Sequence, residues 1–228
     1  MAPLRQAGAA ASVAYSAVSA PLVCFMSQPS LPLEALSQYF RSNYFPLTNK
    51  EEQELAQRFT ARPVKRREFL LQQGEVCRSA SFVVAGCFRL YAVAPGGKEH
   101  NLQFAVEQEW ITDLASFYAE QPSRVYIEAL EPATVLQIRQ DDLLNLFTRY
   151  HTFDRNFRIL VERAYIVLQD RLLQSISAPA EERYENFLTQ HPHWARRLPN
   201  TQIAAYLGMT PEFLSKIRKD RVPKARRA

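Results

Sequence analysis

The chain has 228 residues, 47% of them hydrophobic and 22% charged, with a formal net charge of +5. That composition excludes wholesale disorder, and charges interrupt the longest apolar runs before they reach the length of a membrane span. Three cysteines, Cys24, Cys77 and Cys87, are too few and too scattered for a disulfide framework and match no zinc spacing, so a reducing cytoplasm is the expected compartment.

Residues 1–25 are rich in Ala and Ser and carry one charge, Arg5. Three readings compete: a secretory signal ending in the small residues Val18 and Ala20, a true start at Met26, and a disordered extension. Secretion conflicts with the carboxyl end described below, so residues 1–30 are expected to be a disordered or mis-assigned extension.

Residues 31–60 read as helical. Leu33, Leu36, Tyr39 and Phe40 fall at helical spacing, and Thr48 with Glu51 forms a capping box for a second helix bearing Leu55 and Phe59, which Pro63 is expected to end. From 64 to about 139 the pattern changes to short strands. Residues 81–85 form an apolar run closed by Gly86, and 87–94 alternate, with Phe88, Leu90 and Ala92 opposite Cys87, Arg89 and Tyr91. Pro95-Gly96-Gly97 marks a hairpin, and the returning strand sets Leu102, Phe104 and Val106 on one face. Further strands are expected at 110–114, 125–129 and 133–138. Regular short strands of this kind predict an antiparallel roll, sandwich or barrel. Residues 141–150 read as a short helix. A long one follows over about 152–175, with Phe157, Val161, Ala164, Leu168 and Leu172 in a stripe that suits either a twin helix in a dimer or the chain's own barrel. Pro179 suits the first position of a helix over 180–190. The expected organisation is therefore a strand-rich unit over 31–150, a long helix over 151–177 and a helical carboxyl-terminal domain over 178–228.

The positive charge is concentrated at the carboxyl end. Residues 196–228 hold nine basic side chains (Arg196, Arg197, Lys216, Arg218, Lys219, Arg221, Lys224, Arg226, Arg227) against Glu212 and Asp220, whereas the other 195 residues carry a small acidic excess. Such a distribution points to a polyanion, nucleic acid first and anionic membrane second. Within that segment, LPNTQIAAYLGMTPEFLSKIRK has the form of a helix-turn-helix. Asn200 or Thr201 caps a helix carrying Ile203, Ala204 and Leu207. Gly208 makes the turn, Thr210 caps the second helix with Pro211 at its first position, and Leu214 and Ile217 face inward. Pro211, Glu212, Ser215, Lys216 and Lys219 are left facing outward. An ordinary helical hairpin is the plain alternative.

The order of roll, long helix and small helical unit resembles the Crp/Fnr family of bacterial transcription regulators over residues 45–220, and the 198–219 stretch is most similar to the Bacteroidetes type. The resemblance implies an α+β chain: an antiparallel β-roll with flanking helices, a dimerisation helix, and a helix-turn-helix that binds double-stranded DNA. It implies a cytoplasmic homodimer seated on a pseudo-palindromic operator, a small-molecule effector, and contact with RNA polymerase. In family members that bind cyclic AMP, a Gly-Glu pair takes the ribose and an Arg before Ser or Thr takes the cyclic phosphate. Here those positions fall on Thr112-Asp113 and Ser123-Arg124, the second pair in reversed order. On a strand, Arg124 then points to the opposite face, which argues against cyclic AMP and for a degenerate pocket with another ligand or none. The cysteine set of the iron–sulfur members is absent, so no cluster is expected, and Cys77 and Cys87 read as buried thiols. His191-Pro192-His193 reads as a surface turn and Lys65-Arg66-Arg67 as a solvated strand edge.

In the DNA-reading helix the resemblance matches its base-contacting positions to Pro211, Glu212 and Lys216; Pro211 stands where the cyclic-AMP receptor has Arg, so that contact is lost, while Glu212 suits cytosine and Lys216 guanine. Thr201, Gln202, Thr210, Ser215 and Lys219 read as phosphate or mixed contacts. No phosphate loop, nucleophile elbow, acid/base pair or metal cluster suggests an enzyme. The competing reading is a stand-alone ligand-binding module whose basic terminus docks on a membrane or protein.

Overall fold

The computed structural model describes residues 32–221. The expectations for residues 1–30, and for Lys224, Arg226 and Arg227, lie outside the described residues.

Helix α1 (Pro32–Asn43) buries Leu36, Tyr39 and Phe40, three positions on one helical face. Helix α2 (Asn49–Arg58) starts with the expected capping box: the Thr48 hydroxyl accepts from Glu51 N–H at 3.4 Å, and the Glu51 carboxylate accepts from Thr48 N–H at 2.7 Å. This helix stops at Phe59, before Pro63. Pro63 lies instead inside β1 (Thr60–Val64), which pairs only with β8 (Ala133–Arg139) at a sheet edge, where a missing N–H is tolerated.

The strands β2 (Phe69–Leu71), β3 (Ser79–Ala85), β4 (Phe88–Val93), β5 (Glu99–Ala105), β6 (Trp110–Ile111) and β7 (Tyr126–Ala129) join β1 and β8 in two four-stranded antiparallel sheets, ordered β1-β8-β3-β6 and β2-β7-β4-β5. The expected strand at 110–114 is only two residues long, because Asp113 caps a short helix, α3 (Leu114–Ala119), in its place. At the β3–β4 turn Gly86 has φ +100, and a Cβ there would stand 2.4 Å from the Ala133 Cβ, so only glycine lets β8 pass so close.

Helix α4 (Gln140–Arg149) and the first turns of α5 (His151–Ser177) close the roll. Phe153 and Phe157, 4.8 Å apart, pack with Phe40, Phe147 and Trp110. Phe157 is therefore a core residue of the roll: of the two partners open to the stripe, it packs on the chain's own barrel. Beyond it the helix leaves the body: every residue from Val161 to Asp170 is exposed, Ala164 among them.

The carboxyl-terminal helices are α6 (Ala180–Gln190), α7 (Pro192–Arg197), α8 (Asn200–Leu207) and α9 (Pro211–Arg221). Pro179 precedes α6 as its cap residue, one position earlier than expected. His191-Pro192-His193 opens α7 where a surface turn was expected, since Pro192 suits the first position of a helix and the His191 ring stacks on Trp194 at 4.0 Å. These helices share one apolar cluster with two buried residues of the roll, Cys87 and Phe104, and with the partly buried Val106 and Leu130.

Candidate DNA-reading unit and its seat on the roll

Helices α8 and α9 meet through a turn set by local chemistry. Gly208 takes the left-handed conformation at φ +69, and the Thr210 hydroxyl accepts from Phe213 N–H at 3.2 Å. Ile203, Ala204, Leu214 and Ile217 are buried between the helices and the body. The cap expected from Asn200 or Thr201 does not form: Pro199 holds the cap position without a side-chain bond, and the Asn200 side chain accepts from Arg218 on α9 instead.

Pro211, Glu212, Ser215, Lys216 and Lys219 all lie exposed on α9, with Thr201 and Thr210 exposed beside them. Phe213, 41% exposed next to Glu212, adds an apolar side chain to this surface. It precedes the buried Leu214 and falls outside the inward-facing pair Leu214 and Ile217, so spacing gave no signal for it. Gln202 departs from the expected set. It is half-buried, and its amide oxygen accepts from Asn101 Nδ2 at 2.8 Å and from Arg89 Nη1 at 3.3 Å, both on the roll.

That contact belongs to a polar seat on the outer face of β4 and β5. Arg89 is 7% exposed, with a side chain between Glu128 of β7 (2.6 and 2.9 Å) and Glu99 (2.5 Å) and its guanidinium 3.8 Å from the Tyr91 ring centre. Burial works against its charge, but the bonds to Glu99 and Glu128 outweigh that and raise its pKa. The β4–β5 register slips between Leu90 and Tyr91, leaving Leu102 without a partner as a bulge. The slip turns Leu102 out of the row with Phe104 and Val106 and leaves it 45% exposed. Carbonyls near the bulge are taken by Arg171 of α5, which donates to Leu102 O, to Asn101 O at 2.8 Å and to Tyr206 O at 2.8 Å. Nearby, Arg197 pairs with Glu107 at 2.7 Å and with Glu131, and these two carboxylates raise its pKa. At least one member of the basic surplus is thus spent on the chain's own roll.

The four candidate effector residues come together only in part. Asp113 accepts from the N–H groups of Ala115 (3.2 Å) and Ser116 (3.3 Å) and from the Ser123 hydroxyl at 2.7 Å. Thr112 is half-buried, Ser123 is buried, and Arg124 is exposed. A carboxylate already holding three donors has little left for a ribose hydroxyl. The cleft within the roll is not lined by these four residues but borders their segment, since Ser123 N–H donates to the carbonyl of Glu75 in its wall; it holds about 540 Å3 including open solvent and is bounded by Arg62, Leu71, Arg78, Ser79, Ser81 and Gln137. Arg62 at its edge pairs with Glu68 at 3.0 Å.

Cys77 and Cys87 are buried free thiols, and burial pushes the Cys87 thiol up to about 12. Among the described residues no group of three His, Cys, Asp or Glu side chains is placed to hold a metal ion, and no helix is long and apolar enough to cross a membrane.

Residues 61–150 match the family of cyclic nucleotide-binding domains. No curated protein sequence matches the chain. Among solved structures, FixK2 from Bradyrhizobium japonicum aligns with a TM-score of 0.62 at 19% identity, over 71% of this chain and 83% of that one. The c-di-GMP-responsive global regulator CLP of Xanthomonas campestris aligns at 0.63 and 12% identity, over 76% and 91%. A chain assigned to the Crp/Fnr family of transcriptional regulators from Eubacterium rectale aligns at 0.61 and 15% identity, over 80% and 87%. Residues 61–150 thus form a cyclic nucleotide-binding-type domain, in a chain that has the fold of the Crp/Fnr transcription regulators among its structural neighbours.

Proposed function

We propose that this chain is a DNA-binding transcription regulator whose roll senses an effector other than cyclic AMP, or none, and whose α8–α9 unit reads a double-stranded operator. The supporting observation is the exposed row Pro211, Glu212, Ser215, Lys216 and Lys219 on α9, carried by a turn in which Gly208 and Thr210 set the angle between two helices. Such a helix enters the major groove with its amino-terminal residues on base edges. Glu212 accepts from cytosine N4, Lys216 donates to guanine O6 and N7, and Phe213 suits a thymine methyl. Thr201, Thr210, Ser215 and Lys219 hold the backbone. Gln202 serves the seat on the roll.

The regulator works as a homodimer through the exposed half of α5, with Val161, Ala164, Leu168 and Leu172 in the seam and Phe157 excluded from it. A two-fold dimer carries two α9 helices to a pseudo-palindromic site. Control follows from differential affinity: an effector that prefers one arrangement of α5 and the seat shifts the population of DNA-competent dimers. One neighbour is named for its response to a cyclic dinucleotide, so the fold accommodates effectors beyond cyclic AMP.

Selection of genomic fragments by the purified full chain at physiological salt tests the reading. Recovery of a palindromic motif supports it. Binding without enrichment over bulk sequence refutes it and favours the basic-terminus docking module.

A further inference from the structure

We propose that the cleft between α5, α6 and α8 is a binding site for a small oxyanion, either inorganic phosphate or the terminal phosphoryl group of a soluble ligand. The cleft holds about 320 Å3, part of it open solvent, and its lining includes Arg171, Gln174, Arg183, Gln190, His191 and Tyr206. Two arginines therefore border one space, and its lining includes no Asp or Glu. Among the described residues Arg171 and Arg183 form no ion pair. Arg171 gives three of its N–H groups to backbone carbonyls, which do not neutralise its charge, and its guanidinium lies 3.8 Å from the Tyr206 ring centre. The Nε of Arg183 is buried and has no hydrogen-bond partner.

A half-buried guanidinium without a counter-ion carries a cost, and the buried Nε–H of Arg183, which lacks an acceptor, adds to it. Both deficits are met by a group that is anionic, rich in acceptors and small. A tetrahedral oxyanion offers this and suits the planar fork of arginine. The amides of Gln174 and Gln190 supply further donors. His191 adds no charge: burial and the nearby Arg171 hold its imidazole at about 4, so at neutral pH it is a neutral donor or acceptor. Because Arg171, Arg183 and Tyr206 belong to three helices, an anion bound there ties the long helix to the first helix of the DNA-reading pair. The site itself stands whether or not the chain reads DNA.

The test is thermal unfolding and calorimetry of the full chain in phosphate against chloride at matched ionic strength, with adenosine and AMP as further arms. Phosphate is expected to bind saturably and to raise the Tm by about 3–6 °C at ten times its Kd. AMP binding tenfold or more tighter than phosphate, with adenosine inert, would assign the site to a phosphoryl group on a soluble ligand; equal or weaker AMP binding would assign it to the free ion. Arg183→Gln is expected to weaken phosphate binding tenfold to a hundredfold, about the loss of one charge-assisted bond. Gln190→Ala, at the exposed rim, leaves folding intact and weakens binding about tenfold if Arg183→Gln fails to fold. A Tm that responds equally to phosphate and chloride, or wild-type affinity in the variants, overturns the proposal. So does phosphate that competes with duplex DNA while Arg183→Gln weakens DNA binding in step, since the cleft would then be a DNA-backbone contact.

Discussion

Replacing Phe104 by alanine should detach the carboxyl-terminal unit from the roll. The Phe104 ring is 1% exposed and lies outside the roll's own core, edge-on to Trp194 (centroids 5.5 Å apart, planes at 73°) and 5.4 Å from Tyr206. Burying such a side chain is worth about 2–3 kcal/mol in transfer. Favourable ring geometry adds about 1 kcal/mol. Unfilled space left behind brings the expected loss to about 3–5 kcal/mol, the range for Phe→Ala in a packed core. The loss should fall on the seat and leave the sheets in place, because the ring's contacts are with α7 and α8. The chain has two tryptophans, one in each part: Trp110 in β6 and Trp194 in α7. Urea unfolding followed by Trp194 emission in a Trp110→Phe background, and by Trp110 emission in a Trp194→Phe background, separates them. The Trp194 transition should move to lower urea by the amount above and part from the Trp110 transition. If both move together, or Trp194 moves by less than about 1 kcal/mol, Phe104 does not hold the unit in place and the shared core is not the connection.

Lys216→Ala should cost about 1–3 kcal/mol on the selected operator, with preference lost at one base position and little change on random DNA; equal losses on both in competition binding would make Lys216 a phosphate contact only. Leu168→Glu with Leu172→Glu should convert a dimer to a monomer in sedimentation equilibrium with unchanged far-UV circular dichroism, since these side chains are 57% and 58% exposed on α5; a variant that stays dimeric places the seam elsewhere. His191 should make the chain acid-sensitive. Its pKa is near 6.5 in the unfolded chain and about 4 when folded, so the unfolded state binds more protons between those values. Stability is then full above about pH 6.5 and falls as pH drops towards 4, by about 3 kcal/mol at most. His191→Phe should remove that slope, and an unchanged acid limb in the variant would assign it to other groups. Arg89→Met should leave the buried Glu128 without its partner and cost about 3–5 kcal/mol in chemical denaturation; a loss under about 1 kcal/mol would mean that solvent replaces the pair.

Short-range chemistry was legible in the order of residues. Thr48 and Glu51 are three residues apart, and their capping box formed as spacing requires. Gly208, Thr210 and Pro211 set the turn of the helix-turn-helix within four positions, so the exposed row on α9 was legible before any coordinates. Alternation and turn residues marked most of the strands for the same reason. Tertiary structure alone decided which faces meet. Arg89 and Gln202 are 113 positions apart, and Arg171 reaches Asn101 across 70, distances over which no periodic pattern carries information. The bulge at Leu102 reversed an alternation that the residues themselves announce, because pairing partners fix register. Phe157 joined the core and Val161 did not, since the roll covers only the first turns of α5. The charge surplus divides in the same way. Its place at the carboxyl end is written in the residues, but whether an arginine there faces DNA or, as Arg197 does, a pair of glutamates on the roll depends on where the folded body puts its carboxylates.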